Sequence, residues 1–257
     1  MILEITPLIG CANMCEYCPQ TKLMKEYKKK GESDKKEMTI EDFKKYIETI
    51  PNDVHLHFAG YVEPFLAKDT PQMIHYAISK GFGVMINTTL VGLTKEIWDT
   101  FKYVKFLDLH VHLPSCSYNE WIGIEKPIRY IDHQGKKIKA LSEDYLEMAN
   151  YVLDNPHERD KLNRAKHDET AVYITDRLSW HSHGDLHPQL EYLKERITIP
   201  AHNINSRAMN ILLERKEKVA EEKNIRGKCP RVKQNVLLPD GTLSLCCQDY
   251  GLNSIMG

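Results

Sequence analysis

Apolar residues in this chain come in short blocks, some repeating every second residue and some every three or four. Residues 2–6 (Ile-Leu-Glu-Ile-Thr) predict a strand that ends at Pro7 and Gly10. The capping pattern Thr39-x-x-Asp42 predicts a helix carrying Phe43, Tyr46, Ile47 and Ile50 on one face. A second strand is expected over 54–58. A helix follows from Thr70-Pro71, where proline suits the first turn, to Gly81. Residues 83–87 predict a third strand, 94–101 a helix and 104–112 a fourth strand. Ser142 caps a helix reaching about residue 151, and 171–175 predict a fifth strand. A charged amphipathic helix over 207–223 precedes a hairpin, 234–238 and 242–246, turning at Pro239-Asp240-Gly241. The lysine-rich run 22–36 reads as a solvated helix end and loop. Residues 115–140 read as a loop-rich insertion, 154–168 as a polar stretch and the segment around His181–His187 as a loop.

Strands alternating with helices predict a parallel sheet with crossover helices. About six such units fit, fewer than the eight of a complete barrel. The expected fold is therefore α/β, a partial (β/α)6 TIM-like barrel over residues 1–225, with a short C-terminal hairpin segment over 226–257. Reactive groups are expected at the carboxyl ends of the strands. Charge is balanced, 35 basic against 36 acidic residues, which gives no reason to expect a nucleic-acid partner. No apolar run approaches the roughly 20 residues of a membrane span, and residues 1–10 do not read as a signal peptide. Seven cysteines, two of them adjacent, argue against a disulfide framework and for metal-bound thiolates in a reducing, cytoplasmic setting.

Cys11, Cys15 and Cys18 stand in the spacing Cys-x3-Cys-x2-Cys. Three thiolates on one loop can hold three irons of a four-iron cluster and leave the fourth open. A zinc knuckle is the competing reading, but zinc prefers four ligands and no fourth Cys or His lies in the loop. With Tyr17 directly before the third cysteine, the loop resembles that of the radical S-adenosylmethionine (SAM) enzymes. The resemblance implies a [4Fe–4S] cluster whose open iron is chelated by SAM, an electron donor such as flavodoxin or ferredoxin, and a 5′-deoxyadenosyl radical.

Other segments extend the resemblance. Gly60-Tyr61-Val62-Glu63-Pro64 is similar to the family's Gly-Gly-Glu-Pro motif, retaining Gly60, Glu63 and Pro64. It implies a loop that presents carbonyls to the methionine ammonium, with Glu63 supplying charge or holding the loop. Asn87, Thr88 and Ser115, at later strand ends, are candidates to bracket the SAM ribose and adenine. Arg207, in a segment similar to the family's Ser-Arg-Ala-Gly-Asn, is a candidate to orient a carboxylate. Cys229, eleven residues, Gly241, four residues and Cys246 match the opening of a SPASM or Twitch extension. That implies an auxiliary [4Fe–4S] cluster on Cys229 and Cys246, with Cys247 beside them. The family's further downstream cysteines do not appear before Gly257. Cys116, just past strand four, is a candidate hydrogen-atom donor, an extra cluster ligand or a packed thiol.

Histidines form a rival constellation: His55 with His57, His110 with His112, and His181, His183 and His187. A His-x-His pair at a barrel strand end is also how some zinc hydrolases build a metal site. That reading leaves the cysteine trio without a role and lacks an evident acidic ligand at a later strand end; an iron–sulfur electron-transfer or scaffold protein, which SAM cleavage would exclude, is the non-catalytic alternative. The chain thus reads as a radical SAM enzyme of the oxidoreductase or epimerase class. The compact size resembles the Twitch enzymes that act on sugars or aminocyclitols, which implies dehydrogenation or epimerisation of a small polar substrate; the ten residues before the cysteine loop leave no separate leader-peptide-binding domain to expect. A peptide or protein substrate is the alternative.

Overall fold

The computed structural model of the chain describes residues 1–30, 34–101, 104, 107–155, 178–202 and 234–256. The elements run β1 (Ile2–Ile5), α1 (Gln20–Lys30), α2 (Ile40–Ile47), β2 (His55–Phe58), α3 (Thr70–Ser79), β3 (Val84–Thr88), α4 (Lys95–Phe101) and β4 (Leu107–Leu113). They continue with β5 (Tyr130–His133), β6 (Lys136–Lys139), α5 (Glu143–Asp154), β7 (Leu178–Ser182), β8 (Gln234–Leu237), β9 (Leu243–Ser244) and β10 (Ile255–Met256). The expected strand at 171–175 and helix at 207–223 lie outside the described residues, as do Arg207 and Cys229.

One sheet organises the molecule, in the order β10-β9-β8-β1-β2-β3-β4-β7. From β8 to β7 every neighbouring pair is parallel, which is the core of the partial barrel expected. Two features of the sheet differ from expectation. Residues 178–182, read as loop, form β7, which pairs with β4 so that His112 lies opposite His181. The tail hairpin is built into the sheet, with β8 parallel to β1 and the antiparallel β9 beyond it. That hairpin is also shorter than expected, because β9 ends at Ser244 and leaves Cys246 and Cys247 in the turn that follows.

Each parallel strand separates two environments. On β4, Leu107, Leu109, Val111 and Leu113 are buried in the core with Trp98 and Phe101 of α4 and Met148 and Val152 of α5. Asp108, His110 and His112 alternate with them and face the other way, the period-two consequence of the strand pleat. The helices are set by local signals. Thr39 and Asp42 close a reciprocal capping box at α2, and the Ser142 side chain accepts from the Tyr145 N–H at α5. The lysine-rich run contains a complete helix, α1, because Gln20, Leu23 and Tyr27 repeat at helical spacing and are buried while the lysines face out. Within the expected loop-rich insertion, β5 and β6 pair as an antiparallel hairpin turning at Gln134-Gly135.

Candidate functional site

A cavity of about 460 Å3 opens at the carboxyl ends of the strands. Cys11, Cys15 and Cys18 line it, together with Gly60, Tyr61 and Glu63 after β2, Asn87, Thr88 and Thr89 at the end of β3, and His112 of β4. The structure thus brings together the cysteine trio and the motif segments expected around it.

The cysteine loop is tied to its surroundings by hydrogen bonds. The Asn13 amide donates to Thr89 Oγ1 at 2.9 Å, and the Trp121 N–H donates to the Asn13 carbonyl at 3.0 Å. The Glu16 N–H donates to the Asn119 carbonyl, and the Asn119 N–H returns a bond to Glu16 Oε2. Burial pushes the Cys11 and Cys15 thiols above the ordinary range, with the Cys18 sulfur adding to it. A positive metal centre is the natural counterweight to burying these thiolates together.

Glu63 is buried, 4% exposed, and is surrounded by donors. Its Oε2 accepts from the Thr89 N–H at 2.6 Å and the Thr89 hydroxyl at 2.7 Å. Its Oε1 accepts from the Thr88 hydroxyl at 2.8 Å and the Phe65 N–H at 3.2 Å. Burial nevertheless raises its pKa. Of the two roles expected for Glu63, its bonds are those of a residue that holds the loop. Gly60 has φ +52°, and a Cβ there would lie 2.0 Å from Thr6 Oγ1, so only glycine fits the crossing of β1 and the loop. Pro64 begins the single turn Pro64–Leu66, capped by Glu63.

Tyr61 lines the cavity, but its side chain reaches the tail. Its hydroxyl donates to the Cys246 carbonyl at 2.8 Å and lies 3.1 Å from Ser244 Oγ, while its ring packs 4.5 Å from that of Tyr250. Its carbonyl accepts from the Gln20 amide. Cys247 is buried beside Tyr61, Tyr250 and Cys18 and faces the cavity; Cys246 does not line it.

The far wall is built from imidazoles. His112, His181 and His183 each offer one ligand atom, and these atoms lie within 4.8 Å of one another. Their rings are 4.1 Å (His112 to His183) and 5.2 Å (His112 to His181) apart, and Tyr17 packs its edge 5.0 Å from His183. Burial and neighbouring imidazoles lower the His181 pKa to about 3, and burial lowers that of His57 to about 4. The sequence carries no signal for this grouping of His112 with β7: it offers His112 in a pair with His110, and His181 and His183 in a loop with His187. His55 is exposed and outside the cavity, and His187 lines a second one. The second cavity also holds Ser115 and Cys116, which the structure does not bring to the first. The Cys116 thiol points to the carbonyls of Asp185 and Leu186 instead, and Ser115 Oγ accepts from the Ser117 N–H.

The three thiols share one cavity yet do not form a group tight enough for a single ion; among the described residues only the three histidines do. Such spacing fits ligands on separate irons of one cluster better than a mononuclear site. A model of the radical SAM superfamily matches residues 5–172, well over half of the chain. The chain belongs to the radical SAM superfamily. A [4Fe–4S] cluster and SAM are accordingly the cofactors of this radical SAM enzyme. Comparison with curated proteins gives no match. Two solved structures share the fold. BtrN, in complex with AdoMet and 2-DOIA, has a TM-score of 0.52 at 14% identity, over 100% of this chain and 76% of its own. SuiB of Streptococcus suis, bound to precursor peptide SuiA, has a TM-score of 0.51 at 12% identity, over 98% of this chain and 60% of its own. Among the described residues no helix is long and apolar enough to cross a membrane.

Proposed function

We propose that this radical SAM enzyme takes a small, polar, sugar- or aminocyclitol-like substrate into the cavity beneath the cysteine loop and dehydrogenates or epimerises it. The observation that carries the reading is the polarity of the inner strand face. Glu4, His57, Asn87, His112, His181 and Gln234 all line the cavity. Such a wall offers donors and acceptors to hydroxyl and amino groups and little apolar area to a hydrocarbon. A peptide substrate is the second reading, supported by the precursor peptide in the SuiB structure. The 2-DOIA in the BtrN structure supports the first.

In this reading Cys11, Cys15 and Cys18 hold the cluster, which together with SAM supplies a radical able to take a hydrogen atom from an unactivated C–H bond. The protein's own residues do the positioning. Glu63, with Thr88 and Thr89, fixes the loop from Gly60 to Pro64 against the end of β3, where Asn87 faces the cavity. Tyr17 and Trp121 close the cysteine loop over the histidine wall. An auxiliary cluster is assigned to the tail, held by Cys229 with Cys246 and Cys247; the buried, cavity-facing thiol of Cys247 supports its inclusion. Arg207 keeps its proposed role on a carboxylate. We assign packing to Cys116, since its thiol lines the neighbouring cavity. The proposal includes a flavodoxin- or ferredoxin-type electron donor and a cytoplasmic location.

The test is anaerobic reconstitution followed by incubation with SAM, a reductant and panels of sugars, aminocyclitols and peptides. Release of 5′-deoxyadenosine stimulated by a small polar compound is the expected result. Stimulation by peptides alone would replace the first reading with the second, and absence of SAM cleavage in iron-loaded protein would overturn both.

A further inference from the structure

The cysteine chemistry leaves the imidazole wall without a role. His112 ends the polar face of β4, His181 stands opposite it on β7, and His183 follows two residues later. Parallel pairing places His112 and His181 side by side, and the bend just past β7 brings His183 to the same point of the cavity. Their ligand atoms, within 4.8 Å of one another, need only small side-chain rotations to reach the roughly 3.4 Å separation of tetrahedral ligands about 2.1 Å from zinc.

A carboxylate backs the group. Glu120 Oε1 lies 3.6 Å from His112 Nε2, and Oε2 accepts from the Ser115 N–H at 2.6 Å. The Glu120 side chain is 2% exposed, and the Tyr17 side chain is hydrogen-bonded to it. A carboxylate behind a ligating imidazole fixes the ring and raises its basicity. The cavity supplies a further reason for a cation. Its lining contains Glu4, Glu63 and the cysteine thiols but no lysine or arginine among the described residues. Among the described residues of that lining, a substrate oxygen carrying negative charge meets no cationic side chain.

We propose that His112, His181 and His183 bind one divalent transition-metal ion, of which zinc is the probe, with Glu120 as the carboxylate behind His112. Three protein ligands leave a coordination position open to the cavity. That position takes an oxygen of the substrate, hydroxyl or carboxylate, and holds the molecule across from Cys11, Cys15 and Cys18. The ion is an anchor for substrate. This role deepens the small polar substrate reading and rests on it, whereas the metal site stands on geometry alone.

Iron–sulfur-loaded protein is equilibrated with zinc, freed of excess by gel filtration and analysed for zinc and iron, with zinc-edge X-ray absorption on the same sample. We expect about one zinc per chain with only nitrogen and oxygen neighbours near 2.0 Å. His181→Ala and His183→Gln are expected to weaken zinc binding at least a hundredfold without loss of iron. Glu120→Gln is expected to weaken it about tenfold, at the low end of what removing such a partner costs. In a Cys11, Cys15 and Cys18→Ala triple variant, SAM cleavage is lost and the zinc stays. Absence of retained zinc, sulfur neighbours near 2.3 Å, or zinc binding indifferent to the histidine substitutions would overturn the site. Failure of the radical SAM reading would show separately, as loaded protein that keeps zinc and iron but does not cleave SAM.

Discussion

The two walls of the cavity are made in opposite ways. On one side, three thiols come from eight consecutive residues, Cys11 to Cys18, and their spacing is written in a single loop. On the other, three imidazoles come from β4, β7 and the bend just past β7, and meet through strand register, His112 opposite His181. The spacing is local but its props are not: Asn13 bonds to Thr89 and Trp121, and Glu63 to Thr88 and Thr89. The imidazole wall is held by the sheet itself. A site of the first kind can be read from a spacing pattern, and one of the second kind needs the fold.

The largest expected effect separates the walls completely. Replacing Cys11, Cys15 and Cys18 with alanine is expected to abolish SAM cleavage, while the circular dichroism of the sheet and the histidine grouping persist. The check is 5′-deoxyadenosine production alongside thermal unfolding. Residual cleavage would place the cluster elsewhere and remove the sulfur wall from the comparison.

Next in size is the prop beneath that wall. Glu63→Gln turns one of two acceptor oxygens toward donors that then lack a partner, since Thr88, Thr89 and Phe65 all donate to Glu63. A buried unsatisfied donor costs roughly 1–3 kcal/mol, and we expect about 2 kcal/mol lost in denaturant unfolding with weaker SAM binding. Unchanged stability and affinity would mean the loop is fixed by Gly60 and Pro64 alone.

The floor between the walls gives a pH test. Burial holds the His57 pKa at about 4, below its ordinary 6.5, so between those values the unfolded chain binds a proton that the folded chain does not. Its contribution to stability is complete above pH 6.5 and is lost as pH falls toward 4. A difference of about 2.5 units corresponds to roughly 3 kcal/mol at the acid end, at 1.36 kcal/mol per unit. His57→Gln is expected to flatten the stability profile over that window relative to wild type and to leave the profile above pH 7 parallel. Parallel profiles throughout would show His57 to be solvated in solution.

The same local-against-register distinction accounts for what the sequence disclosed. The capping box at Thr39 and Asp42, the cap at Ser142 and the cysteine spacing are each decided within a few residues, and each appears where expected. β7 reads as loop because Ser179 and His181, on one face of the strand, are polar, and His181 lines the polar cavity. Its outward positions, Leu178 and Trp180, carry the period-two signal, but two apolar residues are too few to outweigh serines and histidines. The docking of β8 beside β1 joins residues more than two hundred apart and leaves no local trace. The placement of Cys116 in the neighbouring cavity depends on the loop after β4 turning toward Asp185, again a contact between distant segments.

The smallest effect tests the joint between the sulfur wall and the tail. Tyr61 follows Gly60 in the loop, yet its hydroxyl donates to the Cys246 carbonyl at 2.8 Å and its ring packs at a tilt against that of Tyr250. Tyr61→Phe keeps the ring and removes one donor. The Cys246 carbonyl still accepts from the Asp249 N–H at 3.0 Å, so the cost is that of one shared hydrogen bond, about 1 kcal/mol. If Tyr61 is a strut to the tail, SAM cleavage by the variant stays within about twofold of wild type, because 1 kcal/mol is a factor of about five and is spent on the tail rather than on the cavity. Amide exchange in the turn from Cys246 to Asp249 should then quicken by about that factor while exchange in β2 and β3 is unchanged. A loss of SAM cleavage beyond tenfold with exchange in the turn unaltered would instead make the hydroxyl part of the SAM pocket and move Tyr61 from the joint to the wall.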